Sequence, residues 1–490
     1  MGGMRRGGGR TWFVRVCALV LAFFLSFGWP AQSAAYAVLA HEAIIDSAWK
    51  TNIRPLLLKR FPNATEEEIR EAHGYAYGGA IIQDMGYYPH GSHFFSDLTH
   101  YVRSGDFILA LLRDSKDLDG YAFALGALSH YAADNEGHLM AVNRSVPLLY
   151  PNLKKKYGNL VTYEENPLAH VKTEFGFDVL EVAQGRYAPE SYHDFIGFGV
   201  SVPLLEQAFQ ETYGLDLKSV LSDEDKVLGS YRYDVSQLLP KATRIAWSLK
   251  KDQIIKDQPG ITKKKFLYNL SRASYQRNWG NEYQPPTFGE RFLAFLARIV
   301  PKIGPLKVLQ LRMPTPETER MFEASFNASL GRYRTLLYQV SSGQPALPNY
   351  NFDTGEAAGP GKYRLNDEAH AKLLDALAKQ NFRGASPEVR TELLEFLHIR
   401  MRLTRLSANQ KSGQKFRPNL NNCERQLRRW CPAMQTILLD TVLAIISVCG
   451  RFLNNMYVSD VFTHNSAYAA DKSRRYTGEA LTVNIRMHSH

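Results

Sequence analysis

The chain reads as an all-α protein, a multi-helix bundle with a further C-terminal helical region. Three observations lead there. Apolar residues recur at three- and four-residue spacing from about 41 to 215, runs of alternating strand-like residues are scarce, and Thr65 stands before Glu66, Glu67 and Glu68. That last pattern starts a helix, because the hydroxyl caps free amide groups and the acids sit at the positive end of the helix dipole.

Taken in order, the chain begins with Arg5, Arg6, Arg10 and Arg15, an apolar stretch "VCALVLAFFLSFGW", and then "PAQSAA". This is the pattern of a secretory signal peptide over residues 1–35, with small Ser33 and Ala35 placed for cleavage and Tyr36 as the new N-terminus. An uncleaved anchor is the lesser reading, because the apolar run is short for a membrane span. Secretion or export to a periplasm is the expected location.

Residues 36–215 hold the clearest helical segments, including "TEEEIREAHGYAYGGAIIQD", "GDFILALLRDSKD" and "GYAFALGALSHYAADNEGH". Residues 216–340 continue as an additional helical region. Within it "RFLAFLARIVPKIGPLKVLQLR" is basic and apolar enough to touch a membrane surface, although a core helix broken at Pro301 and Pro305 is the plainer reading. Residues 341–363, rich in Gly, Pro and Asn, are expected to be a loop or linker, and 364–400 a helical pair. Residues 401–490 form a tail with eight basic residues and one acid in its first thirty. It is either a basic arm with a hydrophobic element or a stretch never selected to pack.

At 490 residues, 45% hydrophobic and 22% charged, the chain can bury a sizeable core and is not a disordered polymer. A net charge of +11 favours anionic partners such as phospholipid surfaces, phosphate esters or nucleic acid without naming a reaction. Cysteines occur only at 17, 423, 431 and 449, so neither a disulfide framework nor a cysteine zinc site can organise the main domain. The sequence is silent on oligomeric state.

Histidine carries the chemistry. Nine of the fourteen fall between His41 and His193. His130, Asp134 and His138 stand at four-residue steps, which puts two imidazoles and a carboxylate on one helix face. "AHVKTEF" offers His170 and Glu174 at the same step, and upstream lie His41, Asp84, His90, His93 and His100. Histidine and carboxylate without cysteine suit zinc, with manganese or iron as lesser candidates. His73 and His193 have no partner at ligand spacing and are assigned to structure.

In this order the residues resemble the zinc-dependent phospholipase C family, whose helical fold and trinuclear zinc centre are shared with the S1/P1 nucleases. The resemblance covers roughly residues 36–200. It implies up to three zinc ions and the ligand set Tyr36, His41, Asp84, His93, His130, Asp134, His138, His170 and Glu174. Asp134 would bridge two zincs, with Asp84, His93 and His130 completing one and His41 with the backbone of Tyr36 the other. His138, His170 and Glu174 would hold the third. "SHFFSD" around His93 is similar to the family's His-Phe-Tyr-Asp stretch, with His90 and His100 as alternatives. The short step from Asp134 to His138 leaves Asn135 and Glu136 as stand-ins.

The implied activity is hydrolysis of a phosphodiester by zinc-activated water, with Asp84 as catalytic base or orienting ligand. On a glycerophospholipid the products are diacylglycerol and a phosphorylated head group. Two other readings compete with it. One is an S1/P1-like nuclease stacking single-stranded bases on Tyr87, Tyr88, Phe94 and Phe95; the other is a metal-binding envelope protein without turnover.

Overall fold

A computed structural model describes residues 38–233 other than 89, 185–198 and 222, residues 312–408, and residues 251, 252 and 255. Among them the regular elements are helical, and the isolated β-bridge between Tyr350 and Ala357 lies in a loop. The first half runs α1 (Val38–Ala48), a π-helical turn (Trp49–Ile53), α2 (Arg54–Arg60), α3 (Glu66–Gly79), a 3-10 segment (Ile82–Tyr87), α4 (His93–Tyr101) and α5 (Ser104–Asp114). Then come α6 (Leu118–Gly137), a second π-helical turn (His138–Val142), α7 (Asn143–Leu149), α8 (Pro151–Tyr157) and α9 (Pro167–Gln184). The remainder comprises α10 (Val202–Tyr213), α11 (Leu217–Val220), α12 (Glu224–Tyr233), α13 (Pro316–Ser341), α14 (Arg364–Lys379) and α15 (Pro387–Ala408).

Helix α6 is the axis of the bundle. Its residues are buried on nearly every face, the polar His130 and Asp134 among them, so it is stable only when covered all round. Phe123, Leu125, Leu128 and Tyr131 are fully buried in it. Asp117 starts the helix by accepting the Gly120 amide at 2.7 Å. Helix α3 crosses it where both backbones lack side chains: a Cβ on Gly126 would stand 2.1 Å from the Ala76 carbonyl oxygen, and one on Gly79 would stand 2.0 Å from that of Phe123. The Thr65 helix start is a full capping box, with Thr65 and Glu68 bonding each other's backbone amides.

On another side of α6 lies α13, from the expected additional helical region, with Tyr333 donating to the Leu125 carbonyl at 2.9 Å. Helices α5 and α10 form a further layer, joined by buried Phe107 and Tyr213. Helix α14 packs on α4 through Asn366, which donates to the Tyr101 carbonyl at 2.5 Å, and Lys372, 3.0 Å from Asp97. All these helices fall in one compact unit.

Among the described residues no helix is long and apolar enough to cross a membrane. The signal-peptide segment, Tyr36, His193, the basic stretch at 291–312 except Arg312, and the tail from 409 onward lie outside the described residues.

Candidate metal centre

Each ligand-grade side chain reaches the bundle centre from a different element. His41 comes from α1, Asp84 from the 3-10 segment, His100 from α4, His130 and Asp134 from α6, His138 from the π-helical turn after it, and His170 and Glu174 from α9. His41, Asp84, His130, Asp134 and His170 have no solvent exposure at all.

They gather in three triads, each with ligand atoms within 4.8 Å of one another: His41, His130 and Asp134; Asp84, His100 and His130; and His138, His170 and Glu174. His130 belongs to two of them. The oxygens of Asp134 divide likewise, Oδ1 lying 3.5 Å from His41 Nε2 and Oδ2 lying 3.1 Å from His130 Nε2 and 3.5 Å from His100 Nε2. A carboxylate so placed can face two cations at once. Asp84 Oδ1 is 3.2 Å from His100 Nε2, and Glu174 Oε1 is 2.9 Å from His170 Nε2 and 3.6 Å from His138 Nε2.

The ring tautomers test whether a cation fits. His100 Nδ1 donates to the Ser96 carbonyl at 2.8 Å, His130 Nδ1 to Ala80 at 2.9 Å, and His138 Nδ1 to Phe352 at 2.8 Å. A carbonyl can only accept, so in a neutral ring the proton is on Nδ1 and the Nε2 lone pair points inward. There it meets carboxylate oxygens and, for His100 and His130, another Nε2 at 3.4 Å. Lone pairs facing lone pairs at this depth repel unless a proton or a metal cation lies between them. Accordingly no hydrogen-bond partner satisfies either oxygen of Asp84 or Asp134, Nε2 of His138 or His170, or Oε1 of Glu174. The residues fit zinc.

Protonation tells the same story. Burial opposes charge on His100, but Asp134 and Asp84 beside it raise its pKa to about 10. Burial likewise opposes charge on His138, while Glu174 and Asp134 lift it to about 9. His41 is driven down to about 3 by burial and by His130, and burial pushes Glu174 up to about 8. Protein groups alone would trap protons on His100 and His138, where a divalent cation could take their place.

Most of the expected set converges, and one member does not. His93 opens α4 as an exposed residue with its ring 5.3 Å from that of Tyr87. His100, two turns further on and 2% exposed, stands where His93 was expected. His90 is also exposed, in a left-handed conformation at φ 67°. His138 lies in the cluster: the helix widens into a π-helical turn at that residue, and its ring is 4.8 Å from that of His170. Glu136 points elsewhere, accepting from Arg332 at 2.8 Å, and the Asn135 amide donates to the Tyr131 carbonyl at 2.7 Å. His73 is structural, stacked on Trp49 and 3.0 Å from Asp46.

Two carboxylates were missed. Asp178, the next four-residue step after Glu174 on α9, accepts the Leu39 and Ala40 amides at 2.9 and 3.1 Å and so fixes the start of α1 ahead of His41. That spacing was readable. Asp353 sits in the expected loop or linker, which is in fact packed against the site. Phe352 is fully buried, with its ring 5.4 Å from that of His100 and 6.0 Å from that of His130.

A helical bundle whose buried histidines and carboxylates converge in three triads defines a metal-binding class of protein. Residues 40–223 match the family model described as zinc dependent phospholipase C, so this segment of the chain is similar to that family. No curated protein and no solved structure matches the chain.

Proposed function

We propose that the protein is a secreted or periplasmic zinc-dependent phospholipase C that cleaves glycerophospholipids to diacylglycerol and a phosphorylated head group. The observation that carries this is the set of buried imidazole Nε2 atoms and carboxylates that meet in three triads, inside a segment similar to the zinc dependent phospholipase C family. The proposed ligands are His41, Asp84, His100, His130, Asp134, His138, His170 and Glu174, with Tyr36 supplying its backbone once residues 1–35 are removed.

Zinc, when bound, supplies a Lewis acid for phosphoryl oxygens and lowers the pKa of water. The protein groups do the rest. Asp134 sets the spacing of the two triads that it faces. Asp84, buried with both oxygens unsatisfied, is placed to take the proton of the attacking water. The water oxygen bonds to phosphorus as its proton passes to Asp84, the bond from phosphorus to the glycerol oxygen breaks, and that oxygen takes the proton from Asp84 and leaves as the hydroxyl of diacylglycerol.

The nuclease reading is weakened by its own aromatics. Tyr87 and Phe95 are core residues at 1% and 0% exposure, which leaves Tyr88 and Phe94 to stack bases. The mature protein, offered phosphatidylcholine vesicles and single-stranded DNA with and without a chelator, is expected to release diacylglycerol only, and only with metal. DNA cleavage alone would favour the nuclease, and no turnover with zinc bound would leave a non-catalytic metal protein. N-terminal sequencing of the exported chain checks Tyr36 as its first residue.

A further inference from the structure

We infer that Asp353, on a loop outside the family segment, is a fourth protein ligand of the ion held by His138, His170 and Glu174. This rests on the zinc reading above and adds a residue from residues 342–363 to it.

Position is the first argument. Asp353 is 1% exposed, and its Oδ1 lies 4.0 Å from His170 Nε2. Two ligands on one zinc, with bonds of about 2.1 Å each, can stand no more than roughly 4.2 Å apart. The pair is therefore within reach of a common ion, on the same ring nitrogen that Glu174 approaches at 2.9 Å.

Charge is the second. The oxygens of Asp353 accept only from neutral donors, the Tyr163 amide at 3.1 and 3.3 Å and the Tyr363 hydroxyl, and no lysine or arginine among the described residues pairs with it. A buried carboxylate that no lysine or arginine pairs with is costly, and the charge it does feel is that of His138 in the triad itself. The triad of two imidazoles and Glu174 brings one negative charge to a divalent ion, and Asp353 brings the second.

Anchoring is the third. The loop is fastened to the ligand-bearing elements themselves. The Phe352 amide donates to the His100 carbonyl at 3.2 Å, His138 Nδ1 donates to the Phe352 carbonyl at 2.8 Å, and Asn143 Nδ2 donates to the Asp353 carbonyl at 2.6 Å. At the loop's other end Tyr131 donates to the Pro348 carbonyl at 2.9 Å, and Asn349 accepts the Gly105 and Asp106 amides. Such fastening delivers a side chain to a set place, as a positioned ligand requires.

The test counts zinc and does not depend on turnover. Wild type, Asp353→Asn, Tyr363→Phe and His170→Ala are equilibrated with buffered zinc, and bound metal is measured by mass spectrometry. Asp353→Asn is expected to weaken one zinc about tenfold to a hundredfold, while Tyr363→Phe, which loosens the loop but keeps the carboxylate, retains it. Equal loss in Asp353→Asn and Tyr363→Phe, or no loss in either, overturns the inference. If His170→Ala also keeps the wild-type zinc content, the zinc reading of that triad itself fails. In the wild-type chain, chelation is expected to speed amide exchange at Asn351–Gly355, and unchanged exchange counts against Asp353 as a ligand even if the variants misfold.

Discussion

His93 and His100 are seven residues apart on α4, and at 3.6 residues per turn that returns them to almost the same face. Periodicity cannot choose between them; depth does. His93 is at the solvent end of the helix, while His100 is 2% exposed and 3.2 Å from Asp84. His100→Ala is expected to lower kcat/KM by at least about a hundredfold and to release zinc, since second-layer changes alone cost that order. His93→Ala should stay within a few-fold of wild type, and the reverse ranking in a lipid assay with zinc counting would reject this assignment. The residues that sequence spacing did identify, His130, Asp134, His170 and Glu174, share one helix with a partner four positions away. His100 and Asp353 have no such partner, because their company is set by the fold.

At the level of elements, helix starts and the buried character of α6 were legible, because caps and apolar pattern are local. The π-helical turn at His138 was not, since it answers to packing with α9 and the 342–363 loop. The glycines on α3 and α6 tie element to site: their close crossing brings the Ala80 carbonyl to His130 Nδ1 at 2.9 Å. Gly126→Ala would force the helices apart and is expected to cost about 1–3 kcal/mol, lowering both the melting temperature and zinc content. A melt equal to wild type would show that the crossing yields easily. Helix α15 is held to the rest by Glu392, 2.9 Å from His370 and 3.4 Å from Arg103. Burial opposes its ionisation, yet His370 and Arg103 hold its carboxyl below the ordinary 4.5. A depressed carboxyl contributes stability above 4.5 that fades as pH falls. Glu392→Gln should therefore be less stable than wild type by about 1 kcal/mol at neutral pH, with the two melting curves converging in acid. A gap that persists in acid would mean that charge is not the cause.

At the scale of the whole molecule, the matched segment at 40–223 is covered by helices that lie outside it. Helix α13, well beyond it in sequence, covers a side of α6, with Ser329 3.4 Å from the Ala133 carbonyl, one residue before Asp134. Phe322, Tyr333, Leu336 and Leu337 of α13 are buried, between 0% and 8% exposed. Burying a large apolar side chain stabilises by about 1.5–3 kcal/mol, so the four together contribute roughly 6–12 kcal/mol. That is comparable to the entire stability of a typical domain, about 5–15 kcal/mol. The sequence shows the later helices only as further helical segments, because nothing in a helix's own apolar pattern names the helix it will cover. A fragment ending at 223 should therefore lack a cooperative melt and bind zinc weakly, whereas one ending at 408, which keeps α13 and the 342–363 loop, should melt cooperatively and hold zinc. Circular dichroism with zinc counting on the three proteins decides it. A short fragment that melts cooperatively with its full zinc complement would show that α13 and the 342–363 loop are additions to a centre already complete without them.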